Sequence, residues 1–229
     1  MQRDVVMRQA GDGLWQIESG VFASNCYVHS ASSGSTCVLI DPGLDPEAID
    51  DQLALLRRKP LAVLYTHGHF DHIDGAAYFQ KKYRVPVYLP QGDVKTMESS
   101  NFLVMLLKIP MHILLPEVTL VITVNGGGAE AISAGGANYS YLPYAGHTAA
   151  SCIIQTGQYI FSGDSLFARG VGLSNLPNED RQLLRVNILS FWASFSATSL
   201  VCPGHGPTAR FGNICLENQA LLEYLKATD

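Results

Sequence analysis

Within six residues the chain places His67, His69, Asp71 and His72, in the run THGHFDHIDG at 66–75. His67 and His69 are two apart, so from an extended or loop segment both imidazoles can face one cation, while Asp71 and His72 point elsewhere. Neutral imidazole suits zinc, iron or copper, and an added carboxylate oxygen admits manganese or ferrous iron. Four ligand-type side chains on one loop are hard to aim at a single tetrahedral ion and suit two neighbouring ions better. A second ion needs ligands from elsewhere.

Three further residues meet that need. His147 lies in YAGHT, Asp164 in FSGDS and His205 in CPGHG. Each follows a short apolar run of strand character and stands beside a glycine, which permits a tight turn and close approach of backbone to a metal. The first loop likewise follows LAVLY (61–65), a run with the length and composition of a buried strand. Ligands at the carboxyl ends of strands are where open α/β sheets collect their sites. His29 and His112 complete the seven histidines and lack this setting, so they read as ordinary surface or core positions.

With these residues in order, His67, His69, Asp71, His72, His147, Asp164, His205, the sequence resembles the metallo-β-lactamase superfamily, whose motif is H-x-H-x-D-H followed by a distant His, an Asp and a final His. NCYVHSASSGSTCVLIDPG (25–43) is similar to that family's opening hairpin, and FSGDSLFARGVG (161–172) to its glyoxalase II and persulfide dioxygenase branch. The resemblance implies a four-layer αββα sandwich of α/β class forming a single domain over 1–229. It implies that His67, His69 and His147 hold one metal, that Asp71, His72 and His205 hold the other, and that Asp164 bridges them. A bridging Asp164 argues against a true β-lactamase. The branch typically carries Gly-Cys-Gly and then a cation useful for a glutathione carboxylate. Here Leu173 stands at the cationic position and Asn175 where glyoxalase II has Tyr, and 24 residues follow His205, too few for a glutathione-clamping domain.

The expected chemistry is hydrolysis of an ester, thioester or lactone of a small molecule by a water shared between two divalent ions, Zn2+ first, with Fe or Mn as alternatives. Asp71 is the candidate for orienting that water and shuttling its proton. Asp41 and Thr66 stand at neighbouring strand ends as partners for the ligands, although Asp41-Pro42-Gly43 reads equally as a plain turn. Two rivals stay open. One is a persulfide dioxygenase with a single ferrous ion on His67, His147 and Asp164; the other is a non-catalytic metal-binding interaction domain.

Composition narrows the partners. The net charge is −5 with only 15 Lys plus Arg, which supplies no basic field for a nucleic-acid backbone. Neither a secretory signal nor an apolar window of ~18 residues occurs, so no membrane is expected. The five cysteines are odd in number, widely spaced and without C-x-x-C, as expected of reduced thiols in the cytoplasm. Cys202 lies near His205, but the histidine and carboxylate set is complete without it.

Positioning these side chains requires alternating short strands and helices. A hairpin is expected from 27–30 and 36–40, helices at 46–58 (with Asp45 as N-cap), 75–83, 94–107, 178–189 and 216–227, and strands at 85–89, 118–124, 137–142, 151–156 and 158–161, with glycine turns at 126–128 and 135–136. The apolar segment 102–115, FLVMLLKIPMHILL, reads as a core connection, as a greasy wall of the pocket, or as a homodimer surface.

Overall fold

The computed structural model describes residues 5–31, 34–118, 120–122, 130–176 and 178–227. Its first sheet has seven strands in chain order: β1 Val6–Gly11, β2 Leu14–Ser19, β3 Ser24–His29, β4 Thr36–Ile40, β5 Lys59–Leu64, β6 Val87–Pro90 and β7 Leu120–Ile122. β1 to β4 pair antiparallel and β4 to β7 parallel. The second sheet holds β8 Glu130–Ala134, β9 Ala137–Pro143, β10 Cys152–Thr156, β11 Tyr159–Gly163, β12 Leu200–Pro203 and β13 Ala209–Arg210, ordered 13-12-11-10-9-8. Only β11 and β12 pair parallel there. The helices are α1 Pro46–Leu56, α2 Phe70–Ile73, α3 Gly75–Tyr83, α4 Val94–Glu98, α5 Ser100–Leu106, α6 Arg181–Phe191, α7 Phe211–Glu217 and α8 Gln219–Lys226.

The period of two in a strand sorts the apolar side chains into three cores. Val28, Leu39 and Val63 face α1 and α3 through Ile49, Leu53 and Phe79. Their neighbours Tyr27, Ile40 and Leu64 face the other way and meet Tyr141, Ile154 and Phe161 between the sheets. Ile153, Ile160 and Val201 point outward from the second sheet onto Leu184, Ile188, Phe211 and Leu221 of α6, α7 and α8. Three cores between four layers make the αββα sandwich, and each fully buried Leu, Ile or Val contributes roughly 1.5–3 kcal/mol.

Several boundaries move. Asp45 stands before α1 in the left-handed region (φ 60°) rather than the extended conformation usual for a capping residue, and makes no side-chain cap. The expected helix 94–107 is two helices broken at Ser99, and 216–227 is broken at Asn218, whose side chain leaves the apolar periodicity intact but caps α8 by accepting from Leu221 N. The strand expected at 85–89 begins at Val87. β1, β2 and β8 were not foreseen, and the glycine turn at 126–128 lies outside the described residues. Segment 102–115 divides: Val104 and Ile113 are buried, whereas Phe102, Met105, Leu106 and Leu114 are exposed. Among the described residues no helix is long and apolar enough to cross a membrane.

Candidate metal centre

β4 and β5 run parallel and end together, which sets Asp41 beside Thr66. Asp41 Oδ1 accepts from Thr66 N (2.8 Å) and Oδ2 from Thr66 Oγ1 (2.7 Å). With its proton committed to Asp41, the Thr66 hydroxyl accepts from His67 Nδ1 at 3.0 Å. That choice of tautomer leaves the lone pair on His67 Nε2, which is buried without a partner. His147 is set the same way, its Nδ1 donating to Gly172 O at 2.9 Å, and its Nε2 stands 3.0 Å from His69 Nδ1. The donor atoms of His67, His69 and His147 all lie within 4.8 Å of one another.

α2 begins straight after His69 and brings Asp71 and His72 round to a second cluster. His205 Nδ1 donates to Phe22 O (3.2 Å), which turns its Nε2 inward to 3.3 Å from both His72 Nε2 and Asp71 Oδ2. Asp164 reaches both groups. Its Oδ2 is 3.5 Å from His147 Nε2 and 3.4 Å from His205 Nε2, and its Oδ1 is 3.5 Å from His72 Nε2. Gly204 makes room for that carboxylate, since a Cβ there would stand 2.0 Å from Asp164 Oδ1. Asp41, His67 and His72 also converge within 4.8 Å, but both Asp41 oxygens are engaged by Thr66.

All seven ligand-type residues foreseen in the sequence thus meet at one rim of the sandwich. Leu173 instead packs against the third core, and Asn175 sits in a turn where its N donates to Glu179 Oε2 (3.0 Å) and its side chain accepts from Arg181. His29 is buried against Tyr139, and His112 is exposed. One residue of the site went unforeseen. Asp93, fully buried, accepts from Gly68 N (2.9 Å) and Thr148 Oγ1 (2.7 Å) through Oδ2 and from Ala150 N (3.0 Å) through Oδ1, so one carboxylate ties both histidine loops together. Its signal was an acid just past the end of β6, the next parallel strand after β4 and β5.

The two clusters differ in charge. Burial pulls His69 down to about 4, helped by His147, and burial and His72 hold His67 well below the usual histidine range. In the other cluster burial is outweighed by carboxylates: Asp71 and Asp164 lift His72 to about 8, and Asp164 and Asp71 lift His205 to about 11. Asp164 is held well below the usual carboxylate range, against burial, by His72 and His205. The donor set fits divalent cations: His67 Nε2 and Asp164 Oδ1 are buried with no hydrogen-bond partner, and the donor atoms of His67, His69 and His147 converge within 4.8 Å. Each unsatisfied buried group costs roughly 1–3 kcal/mol, a penalty that a shared cation removes.

The sequence profile of the metallo-beta-lactamase superfamily matches residues 19–229. The chain belongs to that superfamily. Among its superfamily relatives, the probable metallo-hydrolase YqgX of Bacillus subtilis is 30% identical over 182 residues, covering 76% of this chain and 82% of that protein. A hydroxyacylglutathione hydrolase of Yersinia enterocolitica is 31% identical over 137 residues, 59% of this chain but 45% of that enzyme. The solved structure of TTHA1623 in a di-iron-bound form superposes with a TM-score of 0.76 at 29% identity, covering 89% of this chain and 98% of that one. The superfamily assignment makes this a metal-binding, hydrolase-like protein with the αββα sandwich expected from its motif.

Proposed function

We propose that the chain is a hydrolase that holds two divalent ions, one on His67, His69 and His147 and one on Asp71, His72 and His205, and cleaves an ester, thioester or lactone of a small molecule. The observation that carries this reading is Asp164, whose two carboxylate oxygens lie 3.4–3.5 Å from imidazoles of both clusters and can serve as a bridge. The bound ions would supply Lewis acidity for the carbonyl and a water whose pKa falls from 15.7 to about 7. Asp71 Oδ2 borders the second cluster with its carboxyl held below the usual range by His72 and His205, against burial, so it is ionised and able to take a water's proton. Asp41, Thr66 and Asp93 fix the imidazoles before substrate arrives. The His205 side chain is 29% exposed while that of His72 is fully covered, so substrate enters on the His205 side.

Zinc suits this nitrogen-rich set, and iron and manganese remain compatible with its carboxylates. All five cysteines are unpaired, which supports a cytoplasmic setting. The test is elemental analysis of protein purified without added metal, followed by a screen of esters, thioesters, lactones and a chromogenic β-lactam. We expect about two ions per chain and turnover of the acyl compounds. A firm single iron with oxygen uptake on a persulfide would replace this reading with the dioxygenase, and preferential β-lactam cleavage would replace it with a lactamase.

A further inference from the structure

A cavity of about 630 Å3 is walled by residues 168–170 and 207–209 and by Asn213 and Glu217 of α7. Its walls continue the segments that carry two of the metal ligands. Asp164 leads through Phe167, whose ring stands 6.2 Å from that of His205, into 168–170, and His205 leads into 207–208. Arg169 lines this cavity and has no hydrogen-bond or ion-pair partner among the described residues. Its loop is nonetheless held firmly. The buried Asn218 donates from Nδ2 to Phe167 O (3.1 Å) and Gly170 O (2.9 Å) and accepts from Gly170 N (3.0 Å), so the two residues flanking the 168–169 dipeptide are pinned to the α7–α8 junction.

We propose that this cavity is a subsite for a carboxylate or phosphate on the arm of the substrate that extends past His205, with Arg169 as the residue that recognises it. This assignment rests on the hydrolase reading above and names the substrate class for it: acyl compounds with an anionic arm. A guanidinium presents a planar fork that matches either anion in two parallel hydrogen bonds. A loop already fixed by Asn218 loses little entropy when it binds. The volume lies within the range of small-molecule sites. Glu217 faces the same space and repels an anion, so the two residues set affinity in opposite directions. Arg169 is exposed, which makes the interaction sensitive to salt.

Three thioesters with one acyl group and neutral, carboxylate-ended or phosphate-ended thiol arms test the assignment. The metal-loaded protein should show a KM about tenfold lower for at least one anionic arm than for the neutral one, a preference that shrinks with added salt. Arg169→Gln should bring the KM ratio near one, Arg169→Lys should restore part of it, and Glu217→Gln should widen it. The arm that responds separates carboxylate from phosphate. Calorimetry with the same arms as S-methyl thioethers reads the subsite without turnover. Arg169-dependent binding there, with no thioester cleaved, keeps the subsite and removes the hydrolase reading. Equal binding of neutral and anionic arms, unchanged by Arg169→Gln, overturns the subsite whatever the turnover.

Discussion

The histidine cluster and the carboxylate cluster share Asp164, yet they treat protons in opposite ways. In the first, burial and mutual repulsion keep His67 and His69 free of protons. In the second, Asp71 and Asp164 favour protons on His72 and His205. The difference teaches that seven similar side chains make two unlike clusters: one whose His67 and His69 carry no proton near neutral pH, the other in which, on the proposed reading, metal and proton would compete.

Removing the shared residue should have the largest effect. Asp164→Ala is expected to lower the metal content from about two ions to one or fewer and turnover by about 10³-fold, read by elemental analysis and initial rates. Two firmly bound ions in that variant would break the view that Asp164 joins the clusters.

Metal uptake sharpens the contrast next. Zinc added to metal-free protein in weak buffer at pH 7 should release about two protons as the carboxylate cluster fills, because His72 near 8 and His205 near 11 both start protonated. Affinity for that ion should fall by up to about a hundredfold between pH 7 and 6, while His67 and His69 hold no proton to displace in that range. Equal proton release from both sites would erase the distinction.

Asp93→Asn should weaken metal binding by about tenfold, in the range for residues that orient ligands from behind. The new amide would turn an N–H toward Gly68 N, Thr148 Oγ1 or Ala150 N, all of which donate. Chelator competition measures the change, and unaltered affinity would show that the histidine loops hold their own shape.

The smallest effect concerns a histidine remote from both clusters. Burial alone pulls His29 down to about 4. Its folded value lies below the unfolded value of about 6.5, so the unfolded chain takes up the proton first. The stabilisation is full above about 6.5 and is lost as pH falls toward 4, by at most about 3 kcal/mol. Urea unfolding of His29→Gln should show a shallower acid slope between pH 7 and 4.5; an identical slope would place the acid sensitivity elsewhere.

The metal loop was legible because its four ligand-type residues fall within six positions and follow a strand of plain composition. His147, Asp164 and His205 were legible through the repeated pattern of apolar run, glycine and ligand. Asp93 was not, because its partners Gly68 and Ala150 are backbone amides 25 and 57 residues away, and amides carry no sequence signature. β1 escaped because, as an edge strand with all six of its residues exposed or half-covered in irregular order, VMRQAG shows no alternation. The breaks at Ser99 and Asn218 contain neither proline nor glycine, so periodicity ran through them. The cavity beside Arg169 was not legible because it forms between segments far apart in sequence, where Asn218 bonds a loop 48 residues distant at the helix junction.

Each cluster draws on both sheets: His67 and His69 wait for His147, and Asp71 and His72 wait for His205. A ribosome that has delivered the whole first sheet has therefore delivered four ligands and no finished site. On the proposed ligand sets, metal capture would wait for the docking of the second sheet, and a nascent chain would pass through synthesis with only partial sets of donors to offer to whichever cation it meets first.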